Sequence, residues 1–352
     1  MDLSKEELQR YSRHILMIDF GIEAQQKLKN ARVLVVGAGG LGCPCLLYLN
    51  AAGVGTIGIS DDDVVSLSNL QRQVLYNTED IGKKKNLAAK RHLEFKNPET
   101  LIHTHPAIST ENALSILAEY DLVIDGSDNF STRYLVNDAC VLLQKPCIYG
   151  ALFKFEGQVS KFYYLDGPTY RCLYPEVASV NEVPACGVAG VLNVLPGLIG
   201  TWQATEAIKV ITGIGEPLSG KLLNINLLTN DFDLISFKTN PLNKLIKALG
   251  TYMNFDSSDP FSININQFEQ ALADDVIQVI DVREEIEFEA FNLGGRNIPL
   301  DDLEDELDTI SNKNIVVVCQ TGARSLKAIE ILRSHFTELK IYNLKGGIHA
   351  SL

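Results

Sequence analysis

The 352-residue chain is short of positive charge: 31 Lys and Arg stand against 44 Asp and Glu, a formal net charge of −13. A surface this acidic repels phosphate backbones unless basic residues gather locally, so nucleic acid is not expected as a partner. No apolar run approaches the roughly 20 residues that a bilayer-spanning helix needs. Met1-Asp2-Leu3-Ser4-Lys5-Glu6-Glu7-Leu8 has no apolar signal core, and Ser4 with Glu7 has the spacing of a helix capping box. No membrane association is expected. Cysteine is too sparse for a disulfide scaffold: the seven (Cys43, Cys45, Cys140, Cys147, Cys172, Cys186, Cys319) are odd in number and scattered, a usage that fits a reducing cytoplasm. Internal repeats and low-complexity segments are lacking too. With 46% hydrophobic and 21% charged residues, the chain is outside the range of intrinsic disorder.

What is present is an alternation of short apolar strands and helices. Ala31–Val36, Thr56–Ser60 and Leu122–Asp125 read as buried strands, and Leu46–Ala52 and Lys85–Glu94 read as helices. That order implies a mostly parallel sheet covered on both faces. From about Gly157 the pattern becomes antiparallel: Gln158–Tyr164 alternates, and Lys221–Phe237 reads as paired strands around a buried helix at Gly190–Ile211. An irregular stretch, Asp166–Val188, precedes that helix, and loops of such length are usually functional. Turn residues between Thr239 and Pro260 mark a boundary. We therefore expect a first α/β domain over residues 1–245, a linker over 246–261, and a smaller α/β domain over 262–352. From Thr251 onward there are 18 acidic and 8 basic residues, net −10, against 26 and 23, net −3, before it.

Gly37, Gly39 and Gly42 form G-x-G-x-x-G between strand and helix, where backbone N–H groups can approach phosphate oxygens. Asp61 follows at the distance suited to a ribose hydroxyl. Alone, this pattern says nucleotide, and a dehydrogenase or a mere tight turn would satisfy it. The run Ser66-Leu67-Ser68-Asn69-Leu70-Gln71-Arg72-Gln73 adds an arginine that a dinucleotide does not need. A triphosphate attacked at its α-phosphorus does need cations, which Arg72 and Lys85 supply, while an Asp such as Asp128 holds magnesium.

Taken together, the glycine turn, the Asn-Leu-Gln-Arg-Gln run, Lys85 and Ser127-Asp128-Asn129 resemble the MoeB/ThiF family, relatives of ubiquitin-activating enzymes, over about residues 4–238. The resemblance implies a Rossmann-like sheet with an antiparallel extension, use of ATP and Mg2+, and adenylation of the C-terminal glycine of a ubiquitin-like sulfur-carrier protein. It implies that Gly40, Asp61, Ser68, Asn69, Leu70, Gln71, Arg72, Lys85, Asp128 and Asn129 contact nucleotide or metal. It also implies a homodimer in which Arg13 reaches the partner's triphosphate. Val183-Pro184-Ala185-Cys186-Gly187 is similar to the family's cysteine loop, and makes Cys186 a candidate to carry the acyl group or a sulfur. Many relatives hold zinc with two Cys-x-x-Cys pairs. Thr169 precedes Cys172 here, and Asn240-Pro241-Leu242-Asn243 has no cysteine, so zinc is not expected and packing is expected to hold that loop.

Cys319-Gln320-Thr321-Gly322-Ala323-Arg324-Ser325 follows an apolar strand and opens a helix, a loop sized to surround one sulfur and stabilise a persulfide. With Asp281-Val282-Arg283-Glu284, Gly294-Gly295 and Asn343-Leu344-Lys345-Gly346-Gly347 it resembles a rhodanese domain over about residues 262–352. Asn292 stands where that family usually has histidine. The two resemblances together imply adenylation of a Gly-Gly-ending carrier and sulfur transfer from a persulfide donor by way of Cys319, with molybdopterin synthesis the leading pathway and thiamine or tRNA thiolation the alternatives. An NAD-dependent oxidoreductase and a non-catalytic partner of another activating enzyme are the competing function classes.

Overall fold

The computed structural model describes residues 2–163, 165–175, 190–250, 252, 262–263, 265–273, 277–310, 314–336 and 339–348. These fall into two compact units, divided after Tyr252. Among the described residues, no helix is long and apolar enough to cross a membrane.

Among the described residues, eight strands build the first unit: β1 (Arg32–Val36), β2 (Thr56–Ser60), β3 (Leu101–His105), β4 (Leu122–Asp125), β5 (Cys147–Phe153), β6 (Glu156–Phe162), β7 (Lys221–Asn226) and β8 (Asp231–Ser236). They lie in the order β3-β2-β1-β4-β5-β6-β7-β8. The strands from β3 to β5 pair in parallel, because a helix crossover carries each return, and β6 to β8 extend the sheet antiparallel. The β-branched run Val33-Leu34-Val35-Val36 is buried on both faces, as a central parallel strand must be. One face packs on helices Gly42–Ala52 and Lys85–Lys96, and the other on helix Phe130–Leu142 with Tyr134 and Val136. Cys43, Cys45, Cys140 and Cys147 all lie in these cores. Burial pushes the Cys43 thiol up to about 12, which removes it from nucleophilic chemistry. Ser4 Oγ accepts from Glu7 N–H at 3.1 Å, and the Glu7 carboxylate accepts from Ser4 N–H at 2.6 Å, closing the capping box.

The stretch from Asp166 is partly ordered by a short helix, Tyr170–Leu173. Tyr170 is buried among Tyr134, Tyr149, Phe162 and Tyr174. Packing is joined there by a hydrogen-bonded sulfur. Cys172 Sγ accepts from Thr169 N–H at 3.4 Å, Asn240 N–H at 3.3 Å and Asn243 Nδ2 at 3.5 Å, with Thr169 Oγ1 also at 3.4 Å. One sulfur among a hydroxyl and three amide N–H groups is not a donor set for tetrahedral zinc. Leu249 and Tyr252 pack on the first unit's core, and Tyr252 Oη donates to Asp138 at 2.6 Å, so the start of the 246–261 stretch is anchored.

The described residues of the second unit hold five parallel strands, β9 (Ser262–Ile263), β10 (Ile277–Asp281), β11 (Arg296–Asn297), β12 (Asn314–Val318) and β13 (Ile341–Leu344), in the order β11-β10-β12-β13-β9. Ile315 to Val318 are fully buried between Leu332 and Ile329 on one face and Phe268 and Leu344 on the other.

Candidate active sites

In the first unit, strand order reverses between β1 and β4, and ligands of open α/β sheets bind at that switch point beyond the strand ends. Gly37 leaves β1 with φ +88° and presses on β4: a Cβ there would lie 2.9 Å from Gly126 O. A Cβ on Gly42 would lie 1.9 Å from Gly37 O, so the turn closes only because both positions lack side chains. The loop thus opens the 11-residue helix Gly42–Ala52 with its N-terminal N–H groups at the sheet's edge.

Asp61 organises this loop. Its Oδ2 accepts from Ala38 N–H at 2.7 Å and its Oδ1 from Asp63 N–H at 2.8 Å. Burial raises the Asp61 carboxyl, opposed by Lys85 and these two N–H groups. Lys85 is buried to its tip, where Nζ donates to the exposed Asp63 carboxylate at 2.8 Å. Tyr76 Oη donates to Ala38 O at 2.8 Å and ties the loop to the segment that carries Lys85. The Arg72 stem runs along the loop, its Cδ 3.7 Å from where a Cβ on Gly40 would sit, and Arg72 Nη1 donates to Ser68 O at 3.1 Å. Ser68 and Asn69 shape the turn that delivers it: Asn69 Oδ1 accepts from Ser66 N–H at 3.3 Å, and the Ser66 and Ser68 hydroxyls meet at 3.0 Å. Leu70 packs into the core beneath, and Gln71 is exposed.

Across the switch point, Asp125 ends β4, buried and accepting from Ser127 N–H and Oγ at 2.9 and 2.6 Å. Burial raises its carboxyl, with Arg133 opposing. Asp128 is exposed three residues further on, a carboxylate open to a hard cation. Asn129 is spent locally as the cap of helix Phe130–Leu142, accepting from Thr132 N–H at 2.9 Å. Arg13 is exposed on the short helix Ser12–Ile15, and among the described residues no hydrogen bond or ion pair ties it to this site. Cys186 lies outside the described residues. Gln73 is a residue that motif reading did not select: it is buried beside Gly39, and its Oε1 has no partner. The glycine cradle and this unsatisfied acceptor fit a polar ligand such as ATP.

In the second unit, β12 delivers Cys319, buried, into a loop closed from behind by Gly347 (φ +57°), where any Cβ would strike Cys319 O. Gly322 N–H donates to Cys319 Sγ at 3.1 Å. Ser325 Oγ stands 3.4 Å from the sulfur and also bonds Asn343 Oδ1 at 2.6 Å. Arg283 is buried in a bidentate pair with Asp281, with Nη2 at 2.7 Å, and reaches Gln320 Oε1 at 3.3 Å. Arg324 is held end-on by Glu287, Nη1 at 2.6 Å and Nη2 at 2.7 Å. Asn292 makes a local turn, donating to Phe288 O and accepting from Gly294 N–H, both at 3.0 Å.

A nucleotide-type switch point with two cations, in one chain with a cysteine loop, is matched by known families. Residues 11–245 match the ThiF family and residues 264–351 the rhodanese-like domain. The chain belongs to the ThiF family. Among ThiF relatives, the probable adenylyltransferase/sulfurtransferase MoeZ of Mycobacterium tuberculosis is 40% identical over 99% of this chain and 93% of its own length. The sulfur carrier protein adenylyltransferase of Thermus thermophilus is 50% identical over 68% of this chain and 91% of its own. The E. coli MccB structure with MccA-N7isoASN shares the fold, with TM-score 0.60 and 24% identity over 68% of this chain and 74% of that one.

Proposed function

We propose that this chain activates a ubiquitin-like sulfur carrier and then sulfurates it. The carrier's terminal glycine carboxylate attacks the α-phosphorus of ATP, and pyrophosphate leaves. Arg72 and Lys85 neutralise the phosphate oxygens as charge builds there, and the N–H groups of the glycine loop orient them. Asp128 would hold magnesium, which screens the same charge. Arg13, supplied by a second copy in a homodimer, completes the cation set. A persulfide on Cys319 then attacks the acyl carbon and AMP leaves. A second thiolate, for which Cys186 is the candidate, attacks the Cys319 sulfur of this acyl disulfide: the carrier thiocarboxylate leaves, a disulfide with Cys319 forms in its place, and an external thiol reductant restores both cysteines. A poor leaving group has thereby been exchanged for AMP, and tethering the two units raises the local concentration of sulfur donor.

The observation that carries this reading is Arg72 lying along the loop that Asp61 organises, with Lys85 joined to it through Asp63. Pyrophosphate exchange with ATP and a Gly-Gly-ending carrier tests it. Exchange is expected in the wild type and a fall of about 100-fold in Arg72→Ala; full exchange in the variant, or none with any such carrier, refutes it. We assign the molybdopterin route, because the nucleotide motifs resemble MoeB. Mass spectrometry of candidate carriers incubated with the chain, ATP and a sulfur source checks this: the carrier that exchanges oxygen for sulfur names the pathway.

A further inference from the structure

Among the described residues of the second unit, the buried side-chain polar atoms without a hydrogen-bond partner are two, Thr321 Oγ1 and Arg324 Nε. Both belong to the loop that surrounds Cys319. Buried polar atoms are nearly always paired in folded proteins, so two orphans in one six-residue loop mark groups kept for a ligand. For Arg324 the surroundings explain why Nε stays unpaired. Glu287 occupies both terminal nitrogens of Arg324 end-on, which fixes the guanidinium plane and leaves the Nε–H uncommitted. The Glu287 carboxylate holds the Arg324 guanidinium above its ordinary value against partial burial, with Cys319 a smaller contributor. The resting sulfur takes its hydrogen bond from Gly322 N–H, while the Ser325 hydroxyl is shared with Gly322 O and Asn343 Oδ1. An added outer sulfur therefore needs donors of its own.

We infer that Thr321 Oγ1 and Arg324 Nε donate hydrogen bonds to the outer sulfur of the Cys319 persulfide, and that Glu287 is the positioning residue that aims Arg324. This rests on the sulfurtransferase reading of the second unit. In the step they serve, the Cys319 thiolate attacks the sulfane sulfur of a donor, either thiosulfate or an alkyl persulfide. The donor's S–S bond breaks, its electron pair leaves on sulfite or on the alkyl thiolate, and Cys319 carries S–S−. No net oxidation is required. Negative charge moves outward onto the new sulfur, where a hydroxyl and a fixed guanidinium N–H stabilise it.

The full chain is loaded with sodium thiosulfate or, in parallel, with cysteine persulfide, and intact mass spectrometry follows the rate of loading and the half-life of the adduct. Thr321→Val and Arg324→Lys are expected to slow loading and shorten the half-life about tenfold each, while Thr321→Ser restores both. Arg324→Lys keeps the charge and removes Nε, so it separates hydrogen bonding from charge alone. Glu287→Gln is expected to shorten the half-life with a smaller change in melting temperature than in lifetime. Pyrophosphate exchange by the first unit stays unchanged in all four. Thr321→Val and Arg324→Lys that load and hold sulfur like the wild type overturn the inference alone. A wild-type chain that loads from neither donor overturns the sulfurtransferase reading and the inference with it.

Discussion

Asp61 shows how one side chain is given its work by what surrounds it. Read along the sequence it is a carboxylate at the usual distance for a ribose; in the fold it also takes Ala38 N–H and so fixes the glycine loop. Arg72 and Cys319 are legible because each lies within a short motif, and Lys85 because it follows the Asn-Leu-Gln-Arg-Gln run. Glu287 is not, because its partner Arg324 is 37 residues away and only packing brings them together. Gln73 stands in the diagnostic run, yet its importance lies in an unpaired atom that no spacing reveals. The same dependence on a partner governs Arg283. With side chains 3% and 2% exposed, Arg283 and Asp281 are a dry ion pair, and Arg283→Met strands the carboxylate. Denaturant unfolding of the second unit is expected to report a loss of about 3–5 kcal/mol.

At the scale of elements, strand ends and turns decide the chemistry. The parallel strands β1, β2 and β4 are readable as β-branched apolar runs, and each delivers its functional residue just past its last buried position. The connection through Thr169, Cys172, Asn240 and Asn243 is different, since it joins segments 68 residues apart around one sulfur. Partial burial raises the Cys172 thiol, but donors from Thr169, Asn240 and Asn243 outweigh this and hold it below the ordinary thiol range. A group depressed in the folded state adds stability that is full above its unfolded value and is lost as pH falls through the folded one. The gap in melting temperature between wild type and Cys172→Ala is therefore expected to widen as pH rises from 7 toward the unfolded thiol value near 8.5. A constant gap would show that the thiolate is not what the donors hold.

For the whole molecule, Arg13 is the decisive residue: it is exposed and, among the described residues, untied to its own site, so its proposed role calls for a second copy. Arg13→Ala and Arg72→Ala proteins are each expected to lose pyrophosphate exchange. If Arg13 acts across a dimer, mixing and re-equilibrating them regains about a quarter of wild-type activity, since half the dimers are mixed and each has one intact site. No recovery would place Arg13 within its own subunit or outside the reaction. Charge also belongs to this scale. Net −10 from Thr251 onward against net −3 before it gives the two units different surfaces.

Local pattern is enough to determine the periodicities, the glycine turn, the run that carries Arg72 and the loop that carries Cys319, because each is set by residues within one turn or strand of one another. Tertiary structure alone decided the Glu287 lock on Arg324, the unpaired atoms beside Gly39 and Cys319, and the sulfur-centred bonds of Cys172. Those depend on segments that meet only when the sheets form, and a hydrogen bond exists only where both of its ends are placed.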